Sequence, residues 1–320
     1  MPLLITIALF FALFIAGSIK YTGFFSLQVF LNLFIDNAFL IITAIGMTFV
    51  LLIGGIDLSV GSVIALTCML SADLLENKHM NPLFVIPIVL LMGSAIGFCM
   101  GYIIHHFKLQ PFIVTLAGMF FARGMCYVIS IDTITINNPF YKTMSQYRIP
   151  LIGGAFISIS VVIALVVLLA AIYLAHFTKF GRSVYAVGGN EQSALLMGLP
   201  VGRTKVLVYT LNGFCSALSG VVFSFYMLSG YGLHTVGLEL DAIASAVIGG
   251  TLLTGGVGYV VGTLFGVLIQ GVIQTLIMFD GTLNSWWTKI AVAFLLCLFI
   301  LLQRAFVIIR ENRKTSRRSA

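Results

Sequence analysis

The chain has 320 residues, of which 60% are hydrophobic and only 8% charged, with a mean hydropathy of +1.12 and a formal net charge of +7. That composition excludes a soluble globular protein, because an aqueous core cannot use so much apolar surface. The cations stand at the ends of apolar runs and in the tail rather than among exposed aromatics, which argues against nucleic-acid binding and for setting topology and touching anionic membrane lipid.

Uncharged runs long enough to cross a hydrocarbon core of about 30 Å as helices recur along the chain. They lack the polar/apolar alternation of barrel strands, so the predicted fold class is an all-α membrane protein, a polytopic helical bundle of about 10 transmembrane helices. The first span is predicted over 2–19 and, lacking a basic segment before it, reads as a retained span rather than a cleaved signal. Single spans follow over 37–56, 58–74, 82–104, 109–131, 149–175 and 206–228. The 38-residue uncharged run from Ala242 to Phe279 is too long for one ordinary span, and it is split at a turn near Gly255, Gly256 and Gly258. Residues 290–303 supply the last, short helix. One transmembrane domain over 1–303 and a short basic tail over 304–320 are expected.

One polar island breaks the apolar pattern, from His176 to Lys205. It holds Lys179, Arg182, Arg203, Lys205, one acid (Glu191) and several glycines. Ten of the 17 cations lie in this island and in the tail, so both are expected on the cytoplasmic side. Six spans before the island and four after it then place both termini in the cytoplasm. Within the island, Asn190 is a good N-cap, Glu191 suits the positive end of a helix dipole, and Gly198 with Pro200 supplies a stop, which predicts a short helix over 191–197. Two turns are marginal in water, so that helix should pack on a partner.

A charge inside the bilayer is costly and normally faces protein or a water-filled path. Asp57, in GGIDLSVGS, has two readings: a broken helix presenting its carboxylate to a central cavity, or a cap for the helix that follows. Arg123 either binds substrate hydroxyls through its donor fork or pairs with a carboxylate such as Asp57 or Asp132. Glu239 and Asp241 lie near the outer end of a span, facing an extracytoplasmic partner or simply capping and solvated there. Gln270 and Gln274 are four apart on one helical face and project together, towards sugar hydroxyls or as polar glue between helices. Trp286 and Trp287, beside Lys289, read as an interface anchor. An acid followed by Val-Ile recurs in 56–65 and 240–249, a faint hint of related halves.

Five cysteines lie in apolar spans without a C-x-x-C pair and behave as small hydrophobes, so no disulfide framework or metal site is indicated. No G-x-x-x-x-G-K-[ST] loop occurs, so a nucleotide that drives this chain binds elsewhere. No cofactor and no catalytic residues are expected. A proton- or ion-coupled secondary transporter, with Asp57, Glu239 or Asp241 as coupling carboxylate, is the alternative from another class.

GGIDLSVGSVIAL, TLAGMFFARG, GRSVYAVGGNEQSALLMGLPVGRTK and LELDAIASAVIGGTLLTGGVGYVVGTLFGVLIQGVIQTLI resemble, in this order, the ribose-type sugar permeases of bacterial ABC importers, over 37–303. Within that family, DNAFLIITAIGMTFVLLIGGIDLSVGS and FDGTLNSWWTKIA look most like the permeases of galactofuranose importers. The resemblance implies an ABC importer permease fold in the bacterial inner membrane. It also implies a second permease subunit, an ABC ATPase subunit, a periplasmic sugar-binding protein and alternating access driven from outside this chain. By the same likeness the island is the coupling segment, with Gly188, Gly189, Asn190, Glu191, Leu195 and Gly198 serving the ATPase contact.

Overall fold

The computed structural model describes residues 2–282, 284 and 286–316; Arg317 and Arg318 of the predicted tail lie outside the described residues. Among the described residues thirteen α-helices account for most of the chain, with two small two-stranded sheets on one end of the bundle. In order, they begin with α1 (Pro2–Lys20), α2 (Leu27–Leu52), α3 (Val60–Ala72, continued by a π turn to Asn77), α4 (Pro82–His106) and α5 (Pro111–Ile129). Next come β1 (Ile134–Thr135), α6 (Pro139–Gln146), β2 (Arg148–Pro150), β3 (Phe156–Ser158) and α7 (Ile159–Phe177). The remainder is α8 (Lys179–Gly189), α9 (Glu191–Leu196), α10 (Val201–Met227), β4 (Ser229–Gly230), α11 (Leu238–Ile248), α12 (Val260–Asp280) and α13 (Trp286–Ser316).

Local chemistry explains many of the starts. Pro82, Pro111 and Pro139 occupy the first helical position of α4, α5 and α6, where a missing N–H costs nothing. Asn81 and Asn138 each accept from the second N–H of the helix they precede, and Ser26 accepts from Val29 N–H at the start of α2.

The bundle is built around α2 and α10. α10 packs along α4, α2 and α3, while α12 packs on α2, α11 and α1. The α4–α10 contact is close because glycine faces glycine: a Cβ on Gly213 would stand 2.3 Å from the Gly93 carbonyl oxygen. Residues 40–52 of α2 are buried without interruption, whereas α4, α5 and α7 expose large apolar side chains such as Leu91, Phe120 and Leu169 along their outer faces. Among the described residues eight helices are long and apolar enough to cross a membrane. α11, with 11 residues, is about 16 Å long and covers only part of the bilayer.

The predicted turn near Gly255, Gly256 and Gly258 is found, in the loop over 249–259 between α11 and α12. Two span boundaries differ. The segment starting at 149 first forms a β2–β3 hairpin and becomes helical only at Ile159, because Phe156 and Ile157 pair with Ile149 and Pro150 as extended strands. The second span starts at Leu27 rather than 37, since polar Gln28, Asn32 and Asp36 sit inside a helix that is apolar on its other faces. The short terminal helix predicted over 290–303 is part of the 31-residue α13.

Candidate functional site: a glycine junction under a short polar helix

The island from His176 to Lys205 folds as two consecutive helices. Thr178 caps α8, accepting from Gly181 N–H at 3.1 Å while its hydroxyl donates to Leu174 O. Asn190 is extended, with φ −163° and ψ 108°, and breaks α8 from α9; its side chain accepts from Ser193 N–H at 2.8 Å. α9 ends at Gly198, which has φ +76°. There Gly198 N–H donates to Leu195 O and Leu199 N–H donates to Ala194 O, the paired bonds of a Schellman stop. The short helix predicted over 191–197 is thus α9, while α8 went unread because its glycines resembled a loop.

α9 is pinned on one side only. Ala194 is buried in a small cluster with Val187 and Val201, against Ile53 at the end of α2. Lys205 on α10 donates to both carboxylate oxygens of Glu191 at 2.7 Å. Around the rest of the helix end Leu195, Leu196 and Met197 are 65%, 89% and 70% exposed. Three apolar side chains on a polar segment form a patch without a partner among the described residues.

The end of α8 is held by backbone rather than side chains. A Cβ on Gly188 would lie 1.7 Å from the Leu52 carbonyl oxygen and 2.6 Å from the Gly256 nitrogen. Gly256 N–H donates to the same Leu52 carbonyl at 2.8 Å. Gly255, at φ +85°, stands so close to Gly54 and Gly188 that a side chain there would strike both backbones. Tyr185 on α8 donates to Gly258 O at 2.8 Å, and burial pushes its phenol up to about 12, so it remains a donor. Three chain breaks therefore meet: the end of α2, the end of α8 and the loop between α11 and α12. A cavity of about 840 Å³ opens beside this junction, lined by Gly54, Gly55, His105, Lys108, Glu191 and Lys205 among others.

Asp57 sits just past the α2 break and is fully buried. Its Oδ1 accepts from Ser59 N–H and from the Ser59 hydroxyl, at 2.8 and 2.6 Å, and its Oδ2 accepts from Asn212 of α10 at 2.7 Å. Asp57 does not itself cap α3: Ser59 is the residue preceding the helix, and Asp57 holds Ser59 in a local turn without accepting from an N–H inside α3. Asn212 was missed in the sequence, although an amide inside an apolar run was a visible signal.

Arg123 does not pair with Asp57 or Asp132. Its Nη1 donates to the carbonyls of Gly232 and His234, at 2.6 and 2.8 Å, because the loop after β4 folds over α5 and presents unpaired backbone oxygens there. Asp241 forms an ion pair with Lys289 of α13, and Glu239 lies half-buried against Gly61. The two glutamines do not share one environment. Gln270 is buried and donates to Asp241 O at 3.0 Å, whereas Gln274, one turn further along α12, is exposed at the protein surface. Among the described residues no group of three or more potential metal ligands occurs.

Residues 29–301 match the family model described as branched-chain amino acid transport system / permease component. The chain is 52% identical over 316 residues, 99% of its length and 96% of the relative's, to the inner membrane ABC transporter permease protein YjfF of Escherichia coli K12. It is 38% identical to the fructose import permease protein FruG of Bifidobacterium longum, over 98% of this chain and 93% of that one. The ribose import permease protein RbsC of Bacillus subtilis is 38% identical, with 92% and 90% covered. No solved structure matches the chain.

Proposed function

This chain belongs to the branched-chain amino acid transport system / permease component family, and from that premise we propose how it moves its substrate. It is a multi-pass inner-membrane permease subunit of an ATP-binding cassette sugar importer and not an enzyme; ATP is hydrolysed on a separate subunit. An ABC ATPase subunit and a sugar-binding protein are its partners by family. The ion-coupled alternative gives way to this membership, and its leading carboxylate, Asp57, is occupied by three hydrogen bonds.

In our reading α9 is the contact for the ATPase, and the chain forms half of the path, completed by a second permease, identical or paralogous, in contact with membrane lipid. Both termini and the α8–α9 segment face the cytoplasm. Closure of the ATPase pair moves α9 and α8, and the movement passes through Gly188 into the ends of α2 and of the α11–α12 loop, shifting the bundle between outward-open and inward-open states. The transported sugar we assign is galactofuranose, on the likeness of DNAFLIITAIGMTFVLLIGGIDLSVGS and FDGTLNSWWTKIA to permeases of that importer type.

The observation that carries this reading is the one-sided packing of α9: Ala194 buried on the helix breaks, Leu195 and Leu196 bare around the rest of the helix end. Reconstitution with ATPase, binding protein and partner permease tests it. Leu195→Asp should leave the bundle folded but separate ATP hydrolysis from uptake, and normal coupled transport by that variant would refute the assignment. In the same vesicles labelled galactofuranose should be taken up in preference to ribose and fructose; equal uptake of all three would remove the sugar assignment and keep the permease.

A further inference from the structure

A second cavity, of about 350 Å³, plays no part in the junction. It lies at the other end of α10, between α2, α6, the β2–β3 hairpin and α10. Its size falls in the range of about 300–1,000 Å³ usual for small-molecule sites. Asp36 reaches it from α2, nine residues into the helix, about 13 Å from its start. The Asp36 carboxylate has no hydrogen-bond or ion-pair partner among the described residues. Asp36 is exposed in the structure, and an unpaired acid in a spanning helix is kept where it faces protein or a water-filled space.

The rest of the wall complements it. Asn32, one turn outward on α2, accepts from Gln28 at 2.7 Å through its oxygen and so presents its N–H₂ group. Arg148 lies over the Phe156 ring, 4.3 Å from its centroid. Phe39 and Tyr226 line the floor, with centroids 6.5 Å apart and planes tilted by 40°. The hairpin wall is fixed in place, because the Gln28 amide binds both the N–H and the C=O of Phe156, at 3.0 and 3.4 Å. A carboxylate disfavours anions and a guanidinium disfavours cations, which leaves a ligand without net charge, and the sugar-importer reading selects a polyhydroxyl one over a zwitterion. Hydroxyls that donate to Asp36 and accept from Asn32 and Arg148, on a ring whose C–H face rests on aromatic rings, describe a sugar.

We propose that this cavity is an outward-side carbohydrate subsite inside a single permease protomer, holding a neutral monosaccharide between its release from the binding protein and its entry to the path. The proposal rests on the sugar-importer reading. Its test uses the complete importer in proteoliposomes without ATP, with Ser145→Cys as a reporter at the cavity wall and the unmodified importer as background. Galactofuranose, ribose, fructose and arabinose are first compared for ATP- and binding-protein-dependent uptake, and the one transported best is the probe. That sugar, at saturation, should slow labelling of the reporter by a membrane-impermeant thiol reagent about tenfold, and glycerol should not. Asp36→Asn should remove the protection, and so should Arg148→Gln, which alters only an exposed hairpin and keeps the test valid if the α2 variant fails to assemble. Protection that survives both substitutions overturns the subsite, as does a transported sugar that does not protect. A reporter that is never labelled, because a partner chain fills the cavity, overturns it too. An unmodified importer that moves none of the four sugars refutes the sugar assignment itself and the subsite with it.

Discussion

Asp57 and Asn212 illustrate how a charge survives inside an apolar bundle. Each oxygen of the carboxylate has a donor, and the donor on α10 is itself buried, so removing either partner strands the other. Asn212→Ala should destabilise the protein by about 1–3 kcal/mol. Combined with Asp57→Ala the loss should fall well short of additive, which thermal unfolding of the four proteins of the cycle measures. The junction glycines offer a sharper contrast. A methyl at Gly188 meets the Leu52 carbonyl at 1.7 Å, whereas at Gly189 it meets nothing within 4 Å. Gly188→Ala should therefore lower the unfolding temperature by the equivalent of roughly 1–3 kcal/mol of overpacking and impair coupled uptake, while Gly189→Ala should do neither. The residues of the island that act locally were legible in the sequence, since Asn190 and Gly198 declare a cap and a stop to their own neighbours. The partners of Asp57 and Arg123 were not, because they come from α10 and from the loop after β4, 155 and 109 positions away.

At the scale of elements, α9 is too short to stand by its own hydrogen bonds. It persists through Asn190, the Schellman stop, Glu191–Lys205 and the burial of Ala194. Asn190→Ala should cost about 1 kcal/mol locally and weaken retention of the ATPase in pull-down, with little change in the unfolding of the bundle. Leu196→Glu leaves the helix intact and should reduce ATPase retention at least about tenfold, the usual weight of a central apolar anchor. Identical retention would mean the ATPase grips another face. α8 escaped a reading by pattern for a physical reason: its glycines weaken a helix in isolation and are needed where α8 meets the backbone of α2 and of the α11–α12 loop. Pattern likewise could not distinguish the β2–β3 hairpin from the start of α7, since both are apolar and uncharged between Leu151 and Leu174.

At the scale of the molecule, length and charge predict ten passages, whereas among the described residues eight helices are long and apolar enough to cross a membrane. What length and charge could not supply was which helices hide: α2 and α5 have similar hydropathy, yet α2 is central and α5 faces outward. Orientation is open to a direct measurement. Reporter domains fused at either terminus should be active in the cytoplasm and silent outside it, and the reverse at one end would require an odd number of passages. The Asp57–Asn212 bond also has a consequence for how the chain is made. The two residues leave the ribosome 155 positions apart. At synthesis rates of about 5–20 residues per second, Asp57 waits roughly 8–30 s for its amide. Throughout that interval Asp57 keeps its two Ser59 donors but has one carboxylate oxygen unmatched. The expected outcome is that the α2–α3 hairpin stays beside the insertion machinery until α10 emerges, which crosslinking from Asp57 in nascent chains stalled before and after Asn212 measures.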